Sequence, residues 1–376
     1  MIDFSFVIPV YKTEDLLPRC IESIESSFVG TNFSYEIIVV DDGNVPPITE
    51  EFLKQYQNIK LIKHECNKSC FQARISGFRV AVGNWVLTVD PDDMLLLMDW
   101  NEIQQSLQKH NADIFMFAHK VGFCPNLRNY IERLRFPAKK DQLVLKGTSL
   151  YDFYNTNSSS WYLTGKVFSL GLIKKFLMNM DEINKGYYLN MSEDYCIASC
   201  LLFTCKSLLI STTGGLYYYY LSESSETRDE WTTSPMKIRQ KLQCYDLSKA
   251  IVFEYVNAMD LPDDRKITLQ SVALKTFNTI PKLLMPELIY GVAKDFSILK
   301  DLSATFQYAS MLDAFSQLNP GYEIYSSAQK ILTEEEFYQL LPEYPKKNVL
   351  RKFISKCFPR TSFIGKILRE LNLIFK

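Results

Sequence analysis

Asn84-Trp85-Val86-Leu87-Thr88-Val89-Asp90-Pro91-Asp92-Asp93 is the stretch on which the reading of this 376-residue chain turns. An apolar run, the expected strand over 85–89, ends in three carboxylates within four positions. Asp forms strands poorly and repels its own kind, so the cluster is costly unless positive charge sits in it. Asp-Pro-Asp-Asp also suits a turn, because Asp caps turns and Pro presets φ. A divalent cation gripped by carboxylate oxygens and a bound phosphate would neutralise the same charge. The neighbouring segments weigh one reading against the other.

Upstream, Phe4-Ser5-Phe6-Val7-Ile8-Pro9-Val10 reads as a buried strand whose pairing should stop near the proline. Tyr11-Lys12-Thr13-Glu14-Asp15 then opens a helix, with Thr13 as N-cap and Leu16, Leu17, Cys20, Ile21 and Ile24 on its apolar face. A second strand, Tyr35–Val40, also ends in acid, at Asp41-Asp42-Gly43-Asn44. A helix over 49–56, a strand over 59–63 and a helix over 71–82 lead back to the opening stretch. This βαβαβαβ order predicts an α/β fold: a mostly parallel, Rossmann-like sheet with right-handed crossovers and helices on both faces. Ligands in such sheets bind outside the carboxyl ends of the strands. Pro9 to Tyr11, Asp41 to Asp42 and Asp90 to Asp93 all fall there, and three strand ends meeting at one rim favour a binding site over unrelated turns.

Phe6-Val7-Ile8-Pro9-Val10-Tyr11, Ile38-Val39-Val40-Asp41-Asp42-Gly43, Ala73-Arg74 with Gly77 and Ala81-x-Gly83, and Val89-Asp90-Pro91-Asp92-Asp93 together resemble family 2 of the nucleotide-sugar glycosyltransferases, which have the GT-A fold. Trp161-Tyr162-Leu163-Thr164-Gly165-Lys166-Val167-Phe168 resembles that family's stretch before the acceptor site, and Ser192-Glu193-Asp194-Tyr195 its Glu-Asp motif. The resemblance covers about residues 3–225. It implies that Pro9 and Tyr11 flank the nucleobase, and that Asp41, beside Asp42, accepts a hydrogen bond from it, which suits a UDP-sugar donor. It further implies that Arg74 reaches the nucleotide or its diphosphate, against the plainer reading of a surface residue near Glu65. Asp90 and Asp92 would hold Mg²⁺ or Mn²⁺, with Asp93 joining them or orienting Arg74. Asp194 would be the general base of an inverting transfer to a glycan or lipid-linked hydroxyl. The plainer reading has Ser192 as an N-cap, with Glu193 and Asp194 answering the helix dipole. The chain departs from the family pattern at Asn44, at Asn67-Lys68-Ser69, where a glycine is missing, and at Ile75.

Two other classes compete. One is a non-catalytic binding or scaffold protein of a surface-glycan assembly complex. The other is a nucleotidyltransferase, which the lack of the usual glycine-rich phosphate loop disfavours. The 22 tyrosines and 25 phenylalanines are too many to leave in water and should pack a core. Nine cysteines without regular spacing suit a reducing compartment. Cys196, Cys200 and Cys205 lack a nearby His and read as core rather than zinc ligands. His64, His110 and His119 receive no role, Tyr217 to Tyr220 reads as a strand edge, and no nucleic-acid partner is expected.

The expected organisation is a glycosyltransferase domain over 1–230, a helical accessory region over 231–345, and a tail over 346–376. The net charge is −1, yet the tail sets nine basic residues against Glu370 alone. Its apolar positions, from Val349 to Phe358 and again from Phe363 to Phe375, recur at helical spacing around Pro359. Two basic amphipathic helices would lie in an anionic membrane interface, or else against the protein's own acidic body. The resulting expectation is a cytoplasmic protein, peripheral on the inner face of the cell membrane.

Overall fold

Every second side chain of the first strand points to the same face, and that alternation sets the layers. The structure, a computed structural model, describes residues 2–122, 142–156, 161–220 and 235–277. Residues Met1–Ser225 with Cys244–Ala273 form one compact unit, which holds everything described below. A second unit takes Glu226–Gln243 and Leu274–Lys376, of which residues 235–243 and 274–277 are described, as helix. The tail lies outside the described residues.

The strands are β1 (Phe4–Val10), β2 (Tyr35–Asp41), β3 (Ile59–Lys63), β4 (Trp85–Thr88), β5 (Met94–Leu96), β6 (Ile114–Met116), β7 (Ala118–Gly122), β8 (Gln142–Lys146), β9 (Lys166–Ser169), β10 (Ser207–Ser211) and β11 (Leu216–Tyr220). Eight of them form one sheet in the order β3-β2-β1-β4-β9-β6-β10-β8, and β5-β11-β7 form a smaller one. In the large sheet β1, β2, β3 and β4 run parallel, as do β6 and β10, while β9 and β8 are reversed. This is the mostly parallel α/β architecture read from the sequence. Pairing near Pro9 behaves as expected on one side only. β4 leaves β1 after Val7, whereas β2 stays with it to Val10.

Phe4, Phe6, Ile8 and Val10 face α1 (Leu17–Ser27), whose Leu17, Cys20, Ile21 and Ile24 are fully buried against them. The same layer takes Trp100, Ile103 and Leu107 of α4 (Trp100–His110). Trp100 stacks on Phe28 at 4.8 Å and 10°. On the opposite face α3 (Cys70–Val80) crosses β1 so closely that a Cβ on Gly77 would lie 2.2 Å from Val7 Cγ1. Helices therefore cover both faces.

Two local expectations are corrected. Helix α1 starts at Leu17, and Thr13 does not cap it: its carbonyl instead accepts from Leu16 N in a turn. The reason is Pro18, which a helix tolerates in its first turn but would break as the fifth residue of one capped at Thr13. Tyr217 to Tyr220 is not a sheet edge, because β11 is the central strand of the small sheet and Tyr217 and Tyr218 are fully buried.

Candidate active site

The rim is built by loops that the acidic strand ends tie down. Asp41 is fully buried, and its Oδ1 accepts from the backbone N (2.9 Å) and side-chain amide (2.7 Å) of Asn44. Its Oδ2 accepts from Ile48 N at 2.8 Å. In this structure its acceptors are thus turned into its own loop. Asp42, equally buried, holds the next loop: Oδ1 bonds His64 Nδ1 (2.6 Å) and Lys68 N (2.9 Å), and Oδ2 bonds Asn67 Nδ2 and Ser69 N, each at 3.0 Å. His64 passes the connection on through Nε2 to Ser76 on α3 (2.9 Å). Asn44, a departure from the family pattern, cross-links the rim: its amide donates to Val10 O and its Oδ1 accepts from Lys12 N. Pro9 is buried within β1, and Tyr11, just beyond that strand, is 38% exposed with the Lys12 ammonium 5.0 Å from its ring centre.

At the end of β4 the acids divide their work. Asp93 is fully buried and accepts from the Tyr217 hydroxyl (2.6 Å) and Tyr220 N (2.9 Å). It therefore neither faces a ligand nor orients Arg74, because β11 has satisfied it. Asp92 is half-buried, and Arg19 reaches its carbonyl at 2.6 Å. Burial and the charge of Asp90 push the Asp92 carboxyl up to about 6.

Arg74 is the centre of the site. It is only 2% exposed, so it is not the surface residue of the plainer reading. Gly77, three residues on, sets α3 close enough to β1 for this side chain to be enclosed. Its Nη2 donates to Asp90 Oδ1 at 2.7 Å, and its Nη1 to Glu193 Oε1 at 2.9 Å and to Asp194 Oδ1. One guanidinium thus joins the acidic strand end to the Glu-Asp pair that opens the helix Glu193–Thr204. Burial opposes its charge, but the ring of carboxylates holds it well above the usual arginine range. Asp194 is raised by burial while Arg74 pulls it down, and Glu193, squeezed by burial and by Asp194, rises to about 8. Asp194 keeps 30% of its side chain exposed and Asp90 23%, so both can meet a ligand. Ser192 sits at the N-cap position without capping: its hydroxyl goes to Met191 O and Ser248.

Lys166, at the start of β9, was not singled out by the sequence. It is 2% exposed, its ammonium donates to Tyr162 O, and it lies in the field of Asp194. Burial brings it down to about 7, against the pull of Asp194. The signal that could have found it is a lysine inside an otherwise apolar strand, which has to be paired if it is buried.

A mostly parallel sheet with an acidic rim and an enclosed arginine joining Asp90 to a carboxylate pair is the arrangement of a glycosyltransferase of the GT-A class. Residues 5–175 match the family model described as glycosyl transferase family 2, and the chain carries a domain of that family. It is similar to "Glycosyltransferase GlyG" of Streptococcus pneumoniae, 27% identical over 219 residues, covering 55% of this chain and 69% of that protein. It is also similar to the "Poly(ribitol-phosphate) beta-glucosyltransferase" of Bacillus spizizenii, 26% identical over 281 residues, covering 72% of this chain but 39% of that protein. Among solved structures, S. aureus TarS 1–349 in complex with UDP-GlcNAc shares the fold at a TM-score of 0.53 and 15% identity, covering 93% of this chain and 92% of that one.

Proposed function

We propose that this chain is an inverting glycosyltransferase that moves a sugar from a UDP-sugar to a hydroxyl of a surface-glycan or lipid-linked acceptor, with Asp194 as general base. The observation that carries the reading is the Arg74 bridge, which puts a partly exposed carboxylate, Asp194, one guanidinium away from Asp90. The donor assignment draws support from the UDP-GlcNAc complex of the structural neighbour, and the acceptor class from the poly(ribitol-phosphate) relative.

The donor set at Asp90 and Asp92 fits a hard divalent cation. Asp92 is held up to about 6, after burial itself, by the neighbouring Asp90 charge, which a cation would offset. Among the described residues no three His, Cys, Asp or Glu side chains form a protein-only cage. Mg²⁺ is ordinarily held by one or two carboxylates, with substrate phosphates completing the shell. Asp90 and Asp92 would hold Mg²⁺ or Mn²⁺, and the bound ion supplies positive charge for the diphosphate as it leaves.

The rest is done by the chain's own groups. Asp194 takes the proton of the attacking hydroxyl, and its partial burial strengthens it as a base. Arg74 fixes Asp194 relative to Asp90 and opposes the rise in proton affinity that burial gives it. Tyr11, exposed at the rim, offers a ring for the base to stack on, and the loops tied by Asp41 and Asp42 frame that position. The basic segment 346–376 would hold the enzyme at an anionic membrane surface.

Transfer from a panel of UDP-, GDP- and CDP-sugars, with and without Mn²⁺, tests the reading. Activity should require a UDP-sugar, and Asp194→Asn should lower kcat by about 10²–10⁴-fold, the range for a lost general base. Full transfer by that variant would end the assignment.

A further inference from the structure

The turn that carries the acids at the end of β4 is fastened to the rest of the protein through its backbone. Tyr217, fully buried on the central strand of the small sheet, places its hydroxyl between two points of that turn. The hydroxyl accepts from Asp90 N at 3.1 Å and donates to Asp93 Oδ2 at 2.6 Å. The other Asp93 oxygen, Oδ1, accepts from Tyr220 N at 2.9 Å, and Asp93 N donates to Asp90 O at 3.0 Å. Both carboxylate oxygens thus take a donor from β11, which an asparagine could not do, since its amide would set an N–H against one of them. β11 also pairs antiparallel with β5, the strand that follows the turn, with Tyr217 opposite Leu95. Helix α1 adds Arg19, whose Nη2 donates to Asp92 O at 2.6 Å while its guanidinium lies over the Tyr220 ring at 3.9 Å. Asp90 and Asp92, the acids of this turn that keep some exposure, therefore stand on a backbone held at Asp90, Asp92 and Asp93.

We propose that Tyr217, acting with Asp93, is a positioning residue for the cation site: it fixes the turn on which Asp90 and Asp92 stand, without touching ion or substrate. Aspartate side chains are short, so two of them two residues apart can meet one ion only over a narrow range of backbone angles. On a free loop the ion would have to order those residues as it bound, and its affinity would fall accordingly. The hydroxyl of Tyr217 removes that burden at the point where the chain leaves β4, and Asp93 carries the hold three residues further. A phenylalanine would fill the same space but leave Asp90 N and Asp93 Oδ2 without this partner. The role of Asp93 follows from the same contacts. It is the acid of the turn that serves the backbone, which leaves the other two free for a ligand.

This inference rests on the reading of Asp90 and Asp92 as cation ligands, and the test separates the two. The full chain is titrated into Mn²⁺ and UDP, and the EPR signal of free Mn²⁺ is followed against the same mixture without protein. Tyr217→Phe keeps the ring and removes the hydroxyl, whereas Asp93→Asn keeps the size and removes one acceptor. Each should raise the protein concentration at half-uptake by about 10–100-fold, the range for groups that stand behind metal ligands. The double variant should be no weaker than the poorer single one, because both act through one hydrogen bond. In transfer assays the Mn²⁺ concentration for half-maximal rate should rise in step. A merely structural role would lower the amount of Mn²⁺ taken up at saturation and leave the half-point where it is. If the parent takes up Mn²⁺ with UDP and both variants share its half-point, the positioning role is overturned while the cation reading stands. If the parent takes up no more Mn²⁺ than UDP alone does, the cation reading falls and this inference falls with it.

Discussion

Ser69 carries the cost of a missing glycine. The family pattern has glycine at this position, and the structure keeps a glycine-like backbone there, at φ +90, with a serine in it. Such a conformation costs a non-glycine residue about 1–3 kcal/mol. The two loop bonds from Lys68 N and Ser69 N to Asp42 hold it in place. The Ser69 hydroxyl is also buried without a hydrogen-bond partner. Ser69→Gly should therefore stabilise the protein by about 1 kcal/mol in urea unfolding, despite the greater unfolded-state entropy of glycine. Glu193 makes a prediction in pH. Its folded-state value of about 8 lies above the ordinary 4.5. Its contribution is then fully present below 4.5 and is lost as pH rises through 8. Glu193→Gln should remove that slope. The melting temperature of the variant relative to the parent should climb between pH 5 and 8, with a gain of about 2 °C or more at the upper end.

At the scale of elements, Gly77 is where helix and strand come closest. A methyl group placed there would enter the space of Val7 Cγ1, and a β-branched side chain on a buried strand has little freedom to turn aside. Gly77→Ala should destabilise by about 1–3 kcal/mol, read from the urea midpoint. Because α3 also carries Arg74, the same variant should weaken transfer. The parallel half of the sheet was legible in the sequence because its strands are short β-rich runs, two of them, β2 and β4, followed closely by acid, and because the first helix shows its apolar period. Arg74, Asp90 and Asp194 were legible because they stand in recognisable motifs. The work of Asp41, Asp42 and Asp93 was not. A carboxylate at a strand end looks the same in sequence whether it faces a ligand or, as here, binds the backbone of its own loops and a tyrosine from β11. Lys166 was hidden for a related reason. Its partners, a carbonyl four residues back and an aspartate on a distant helix, leave no spacing to read.

For the whole molecule, charge is the lever. With the tail at +8, the rest of the chain carries −9. Among the described residues no helix is long and apolar enough to cross a membrane. Vesicles containing anionic lipid should sediment the full chain at low salt and release it as salt rises, since screening shortens the reach of such charges. A chain ending at residue 345 should stay in the supernatant. If it sediments equally well, the tail is not the anchor.

The reversed strand β9, lodged between β4 and β6, has a consequence for how the protein is made. β6 is complete at Met116, yet its neighbours are β9, which ends at Ser169, and β10, which ends at Ser211. At a ribosomal pace of roughly 5–20 residues per second, β6 emerges several seconds ahead of either. The nascent chain can close the β1–β4 part of the sheet early but must carry an unzipped edge until β9 and β10 arrive. Early termination within that window would leave a sticky half-sheet, and chaperones are needed most there.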